Sequence, residues 1–90
     1  MITILFGQYH VEFPFPPTPL QLRTAIRMGL QQIAKEHEKP QFEGLQVRLS
    51  GERVDPKDAE RIIADGAIIS LIPVQIHGTP QGKVFVLEDD

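Results

Sequence analysis

One stretch constrains this chain more than any other: Ile68-Ile69-Ser70-Leu71-Ile72, entered through Asp65-Gly66-Ala67 and left through Pro73-Val74. Four large aliphatics in five residues, bounded by turn formers, read as a strand buried on both faces. Such a strand needs a hydrogen-bonded neighbour on each side and a layer of side chains to cover it. The rest of the 90 residues must supply both.

Period-two alternation supplies the neighbours. Residues 1–7 place Ile2, Ile4 and Phe6 on one face of a strand and Thr3 and Leu5 on the other. After a turn at Gly7-Gln8, Tyr9, Val11, Phe13 and Phe15 alternate with His10, Glu12 and Pro14, which completes a hairpin. Pro14 cannot donate to a ladder, so this second strand is expected at a sheet edge. Leu45-Gln46-Val47-Arg48-Leu49 alternates in the same way, and Ser50-Gly51-Glu52 turns it into a short return strand at Arg53-Val54.

The covering layer comes from one helix. Thr18 is a good N-cap, Pro19 suits the first helical position, and Gln21 completes a capping box. Leu22, Ile26, Leu30 and Ile33 then recur at helical spacing, with Gly29 and His37 on the same stripe. The pattern predicts an amphipathic helix of about five turns, ended by Pro40. Asp55-Pro56 signals one short helical turn or an ordered loop up to Ala64, with Ile62-Ile63 as core anchors. The order of elements implies a two-layer α+β domain over residues 1–74. It fits a β-grasp, a mixed sheet of four to five strands with one long helix across one face and the first strand parallel to the Ile68 strand. Residues 75–90 read as a tail, broken by Gly78, Pro80 and Gly82, with a strand-like patch at Val84-Phe85-Val86-Leu87.

Composition narrows the function classes. The net charge of −3 is supplied by Glu88, Asp89 and Asp90 alone, because the other nine carboxylates balance nine Lys and Arg. A near-neutral domain carries no dominant field for a polyanion, so nucleic acid is not the expected partner. No apolar run approaches the roughly 18 residues of a transmembrane helix, and the first residues lack the features of a secretory signal. With no cysteine there is no disulfide and no thiolate chemistry, in keeping with a cytoplasmic protein.

Chemistry-bearing groups are scattered. His10, His37 and His77 sit on three different elements without a carboxylate at ligand spacing, so no metal site is expected. His37 reads as a partly buried residue near the helix end. Ser50 and Thr18 are explained by turn and cap chemistry, and no Gly-x-Ser-x-Gly elbow or phosphate loop occurs. Asp55, Asp58 and Glu60 lack the glycine and terminal glutamate of a calcium loop. The expectation is a protein without catalytic residues or cofactor.

Residues 46–54, followed by Asp65-Gly66-Ala67-Ile68-Ile69-Ser70-Leu71-Ile72-Pro73-Val74, resemble the second half of ubiquitin-like β-grasp proteins. Through Gly78, Gly82 and Val84-Phe85, and with the Ile4-to-Gly7 start, the chain further resembles the ubiquitin-like tail assembly protein I of lambda-type tailed phages. That family continues into a longer Gly/Ala-rich apolar segment, which this sequence lacks. The resemblance implies a non-enzymatic partner of another tail-assembly factor. A more distant resemblance is to the sulfur carriers of molybdopterin and thiazole synthesis. They act through a terminal Gly-Gly carboxylate, which this chain would acquire only by being cut.

The candidate functional surface is a face of the sheet. If Ile2, Ile4 and Phe6 point to the helix, alternation sends Ile69 and Leu71 inward. Ile68, Ser70 and Ile72 then face outward beside Gln46 and Arg48. Leu5, Ile68 and Ile72 form an apolar patch there, with Arg48 next to it, as the expected partner-binding site. The alternative is that Val84-Phe85-Val86-Leu87 folds back and covers it. In the tail, Gly78 and Gly82 are the candidate processing points.

Overall fold

The computed structural model describes residues 1–74 and Phe85. Strands β1 (Ile2–Phe6) and β2 (Tyr9–Phe13) lead through the two-residue strand β3 (Leu20–Gln21) into helix α1 (Leu22–Glu36). Strands β4 (Gly44–Leu49) and β5 (Glu52–Val54), a 3₁₀ turn (Pro56–Asp58), β6 (Ile62–Ile63) and β7 (Ile68–Val74) follow. The main sheet has the order β2-β1-β7-β4-β5. Strand β7 lies at its centre, parallel to β1 and antiparallel to β4. This mixed five-stranded sheet under one helix is a β-grasp-like α+β fold.

Turn chemistry sets both hairpin registers. Gly7 has φ +58° and alone of its two-residue turn lies at positive φ, the signature of a type II′ turn that pairs Phe6 with Tyr9. Ser50 and Gly51 are both at positive φ, +51° and +90°, as a type I′ turn demands, and they pair Leu49 with Glu52. Strand β2 is an edge strand, as Pro14 requires.

The core lies between sheet and helix. Ile2, Ile4, Val47 and Ile69 are fully buried, together with Leu22, Ile26 and Ile33 of α1. The helix comes close because position 29 has no side chain: a Cβ there would stand 2.6 Å from Ile4 Cγ1 and 2.9 Å from Ile4 Cβ. Phe42 closes one end of the core, its ring centroid 6.0 Å from that of Phe6.

The structure corrects three local expectations. The helix spans Leu22–Glu36 and starts later than the Thr18 capping box predicts, with Gln21 as N-cap and no side-chain cap bond. Residues 20–21 are instead extended and pair with Ile62–Ile63. The first N–H groups of the helix donate to backbone carbonyls, Leu22 to Arg61 at 2.8 Å and Arg23 to Ala59 at 2.8 Å. These distant carbonyls satisfy the orphan donors that a side-chain cap would otherwise serve. Of the two expected core anchors, Ile63 is buried and Ile62 is 55% exposed, because adjacent strand residues point to opposite sides. His37 ends the helix exposed, its ring centroid 4.9 Å from that of Tyr9 with the two planes tilted by 31°.

Phe85 returns to the sheet. Pro73 has no N–H, and it stands opposite Leu45 at a pair that exchanges no hydrogen bonds. The Leu45 N–H and C=O therefore point to the other side of β4, beyond the short β5. There Leu45 N–H donates to the Phe85 carbonyl at 2.9 Å and Phe85 N–H to the Leu45 carbonyl at 2.7 Å. Residues opposite each other in an antiparallel pair share a face, so Phe85 goes inward with Leu45. It is 2% exposed and belongs to the same core.

Candidate functional site: the open face of the sheet

The side chains that alternate with the core residues form the second face of the sheet. No helix or strand among the described residues lies over it. Register places its members row by row. Leu5 of β1 stands opposite Ser70 of β7, with Ile68 and Ile72 on its two diagonals. Ser70 in turn faces Arg48 of β4, and Ile72 faces Gln46. Arg48 faces Arg53 of β5. On the other flank, His10 of β2 is opposite Leu5 and Glu12 is opposite Thr3.

The structure thus brings Leu5, Arg48, Ile68 and Ile72 onto one face. Ile68 is 46% exposed and Ile72 41%, against 0% and 2% for their neighbours Ile69 and Leu71. Leu5 is half-buried and Arg48 exposed. A strand that reads as buried on both sides is therefore closed on one face and open on the other. Phe85 packs on the helix side and so does not itself cover this face; Val84, Val86 and Leu87 of the expected covering segment lie outside the described residues. Gly78 and Gly82 lie outside the described residues.

Polar groups frame the apolar centre unevenly. On the β2 side His10 Nε2 lies 3.0 Å from Glu12 Oε1, two residues along the same face. On the β5 side stand two guanidiniums. Arg48 Nη1 donates to the Gly51 carbonyl at 3.4 Å, and neither arginine pairs with a carboxylate among the described residues. Arg53 is the member that alternation within β4 alone does not find. The two-residue Ser50-Gly51 turn carries the signal, since pairing 49 with 52 forces 48 opposite 53.

The entry to β7 is tied to the chain start. Gly66, at φ +90°, donates its N–H to the Met1 carbonyl at 3.0 Å, and the Met1 ammonium contacts the Asp65 carboxylate. That ammonium, hydrogen-bonded to the exposed side chain, holds the Asp65 carboxyl below its ordinary range.

Among the described residues no three His, Asp or Glu side chains converge as a metal site requires. No helix among them is long and apolar enough to cross a membrane. No family model, curated protein or solved structure matches this chain.

Proposed function

We propose that this chain is a non-enzymatic, ubiquitin-like binding module of the tail assembly protein I type. It works in the cytoplasm of the host cell and docks another tail-assembly factor on the open face of its sheet. One observation carries the reading: Ile68 and Ile72 are both exposed on one face of the central strand, on either side of Ser70, with Leu5 of the neighbouring strand diagonal to both. Contiguous apolar surface of this kind marks a protein contact more often than a random surface does. Nothing in this role calls for a cofactor or for nucleic acid.

The test is capture by a defined partner. The full chain, tagged, is co-expressed with individual tail-assembly proteins of a lambda-type phage, in parallel with the I68D/I72D variant. Capture by the parent chain and loss of capture by the variant, with unchanged circular dichroism, is the expected result. Equal capture by both, or none by either, overturns the proposal. Incubation with a sulfur-carrier activating enzyme, ATP and a thiol donor is expected to leave the intact mass unchanged. A thiocarboxylate on a chain trimmed to Gly78 or Gly82 would instead favour the sulfur-carrier role.

A further inference from the structure

Arg48 and Arg53 stand directly opposite each other on β4 and β5, with the two-residue turn between their strands. The pair flanking that turn, Leu49 and Glu52, is the hydrogen-bonded one, so the next pair belongs to the narrow, non-hydrogen-bonded class with side chains closest together. Like charges in that position destabilise a sheet. No carboxylate among the described residues neutralises either guanidinium. Among the described residues their one side-chain hydrogen bond is the long one from Arg48 to the turn carbonyl of Gly51. Both are exposed, and Arg48 adjoins Ser70, between Ile68 and Ile72 along β7. The hairpin thus keeps a repulsive pair beside the apolar patch.

We infer that the open face takes a protein segment in which apolar side chains alternate with or adjoin a carboxylate. The apolar groups seat on Leu5, Ile68 and Ile72, and the carboxylate bridges Arg48 and Arg53. A guanidinium pair offers parallel N–H donors, which match a carboxylate in a bidentate way that ammonium groups do not. A phosphate backbone is the other anion that could sit there. The apolar centre and the Glu12 carboxylate on the far flank favour a peptide, because a polyanion gains from neither. This inference rests on the proposal that the open face is a docking surface, and it adds the sign and position of the partner's charge.

The test uses a library of random twelve-residue peptides displayed on beads and selected on the immobilised full chain. Selected peptides are synthesised and measured against the parent chain, R53E, R48E/R53E and I68D. Enrichment of an Asp or Glu beside apolar residues is expected. With R48E/R53E, affinity should fall roughly tenfold to a hundredfold, the range of a charge-assisted hydrogen bond. R53E alone should bind more weakly yet melt about 1–4 °C higher, since it turns a repulsive cross-strand pair into an attractive one. That opposition separates a binding role from a structural one. Peptides that need Ile68 but ignore both arginines overturn the inference and leave the docking surface standing. Peptides indifferent to I68D overturn both. A twenty-nucleotide single-stranded DNA that binds tighter than any selected peptide, and is lost in R48E/R53E, also overturns the inference.

Discussion

The two faces of one strand behave as different materials. On β7, Ile69 and Leu71 are 0% and 2% exposed, while Ile68 and Ile72, one residue away, are 46% and 41% exposed. All four are large aliphatics, so hydrophobicity does not distinguish them. What distinguishes them is which side α1 and Phe85 occupy. The helix side is packed closely enough that Gly29 has no room for a methyl group against Ile4. The other side ends in solvent and carries an apolar centre with two arginines along its margin.

This contrast can be broken from either face. The largest expected effect is on the closed side, where Phe85→Ala removes a buried ring and should destabilise by about 3–5 kcal/mol. Urea unfolding of the full chain measures it; a change under about 1 kcal/mol would mean Phe85 does not belong to the core. Adjacent substitutions on β7 sharpen the comparison. Leu71→Ala should cost about 2–5 kcal/mol, whereas Ile72→Ala should cost under about 1 kcal/mol because half-exposed apolar surface contributes less. Equal costs would show the open face to be covered.

Gly29→Ala comes next. Alanine gains about 1 kcal/mol of helix propensity over glycine, but its methyl group would meet a β-branched, fully buried side chain at 2.6–2.9 Å. Overpacking of that kind costs about 1–3 kcal/mol, so a lowered melting temperature is expected, and a raised one would refute the close approach. Asp65 supplies the smallest effect. Its carboxyl is held below the ordinary value of 3.8 by the Met1 ammonium, so its contribution is present at neutral pH and fades as pH falls through the lowered value. Denaturant titrations of the parent chain and Asp65→Asn should differ slightly at about pH 6 and converge near about pH 2. A gap that widens in acid would reverse the sign.

Much of this was legible because alternation is a local property. A period of two assigns each side chain of β1, β4 and β7 to a face before any partner strand is known, which is how Leu5, Ile68, Ile72 and Arg48 could be grouped. Pro14 pointed β2 to an edge because a missing N–H cannot donate to a neighbouring strand. Arg53 was within reach as well, through the hairpin register. The start of the helix was not. Thr18, Pro19 and Gln21 carry sound capping chemistry, yet residues 20–21 pair with Ile62–Ile63, and the Leu22 and Arg23 N–H groups donate to the carbonyls of Arg61 and Ala59.

By itself, then, the sequence determined the strands of the five-stranded sheet, the single covering helix and the two-sidedness of that sheet, because each follows from side-chain period and local turn chemistry. Only the tertiary structure decided where α1 begins, that Leu20–Gln21 pairs with Ile62–Ile63, and that Phe85 fills the core beside Leu45. These are backbone hydrogen bonds between segments some forty residues apart. Nothing in residues 18–21 or at residue 85 encodes their partners, since an N–H or C=O is the same group in almost every residue and its partner is chosen by the packing around it.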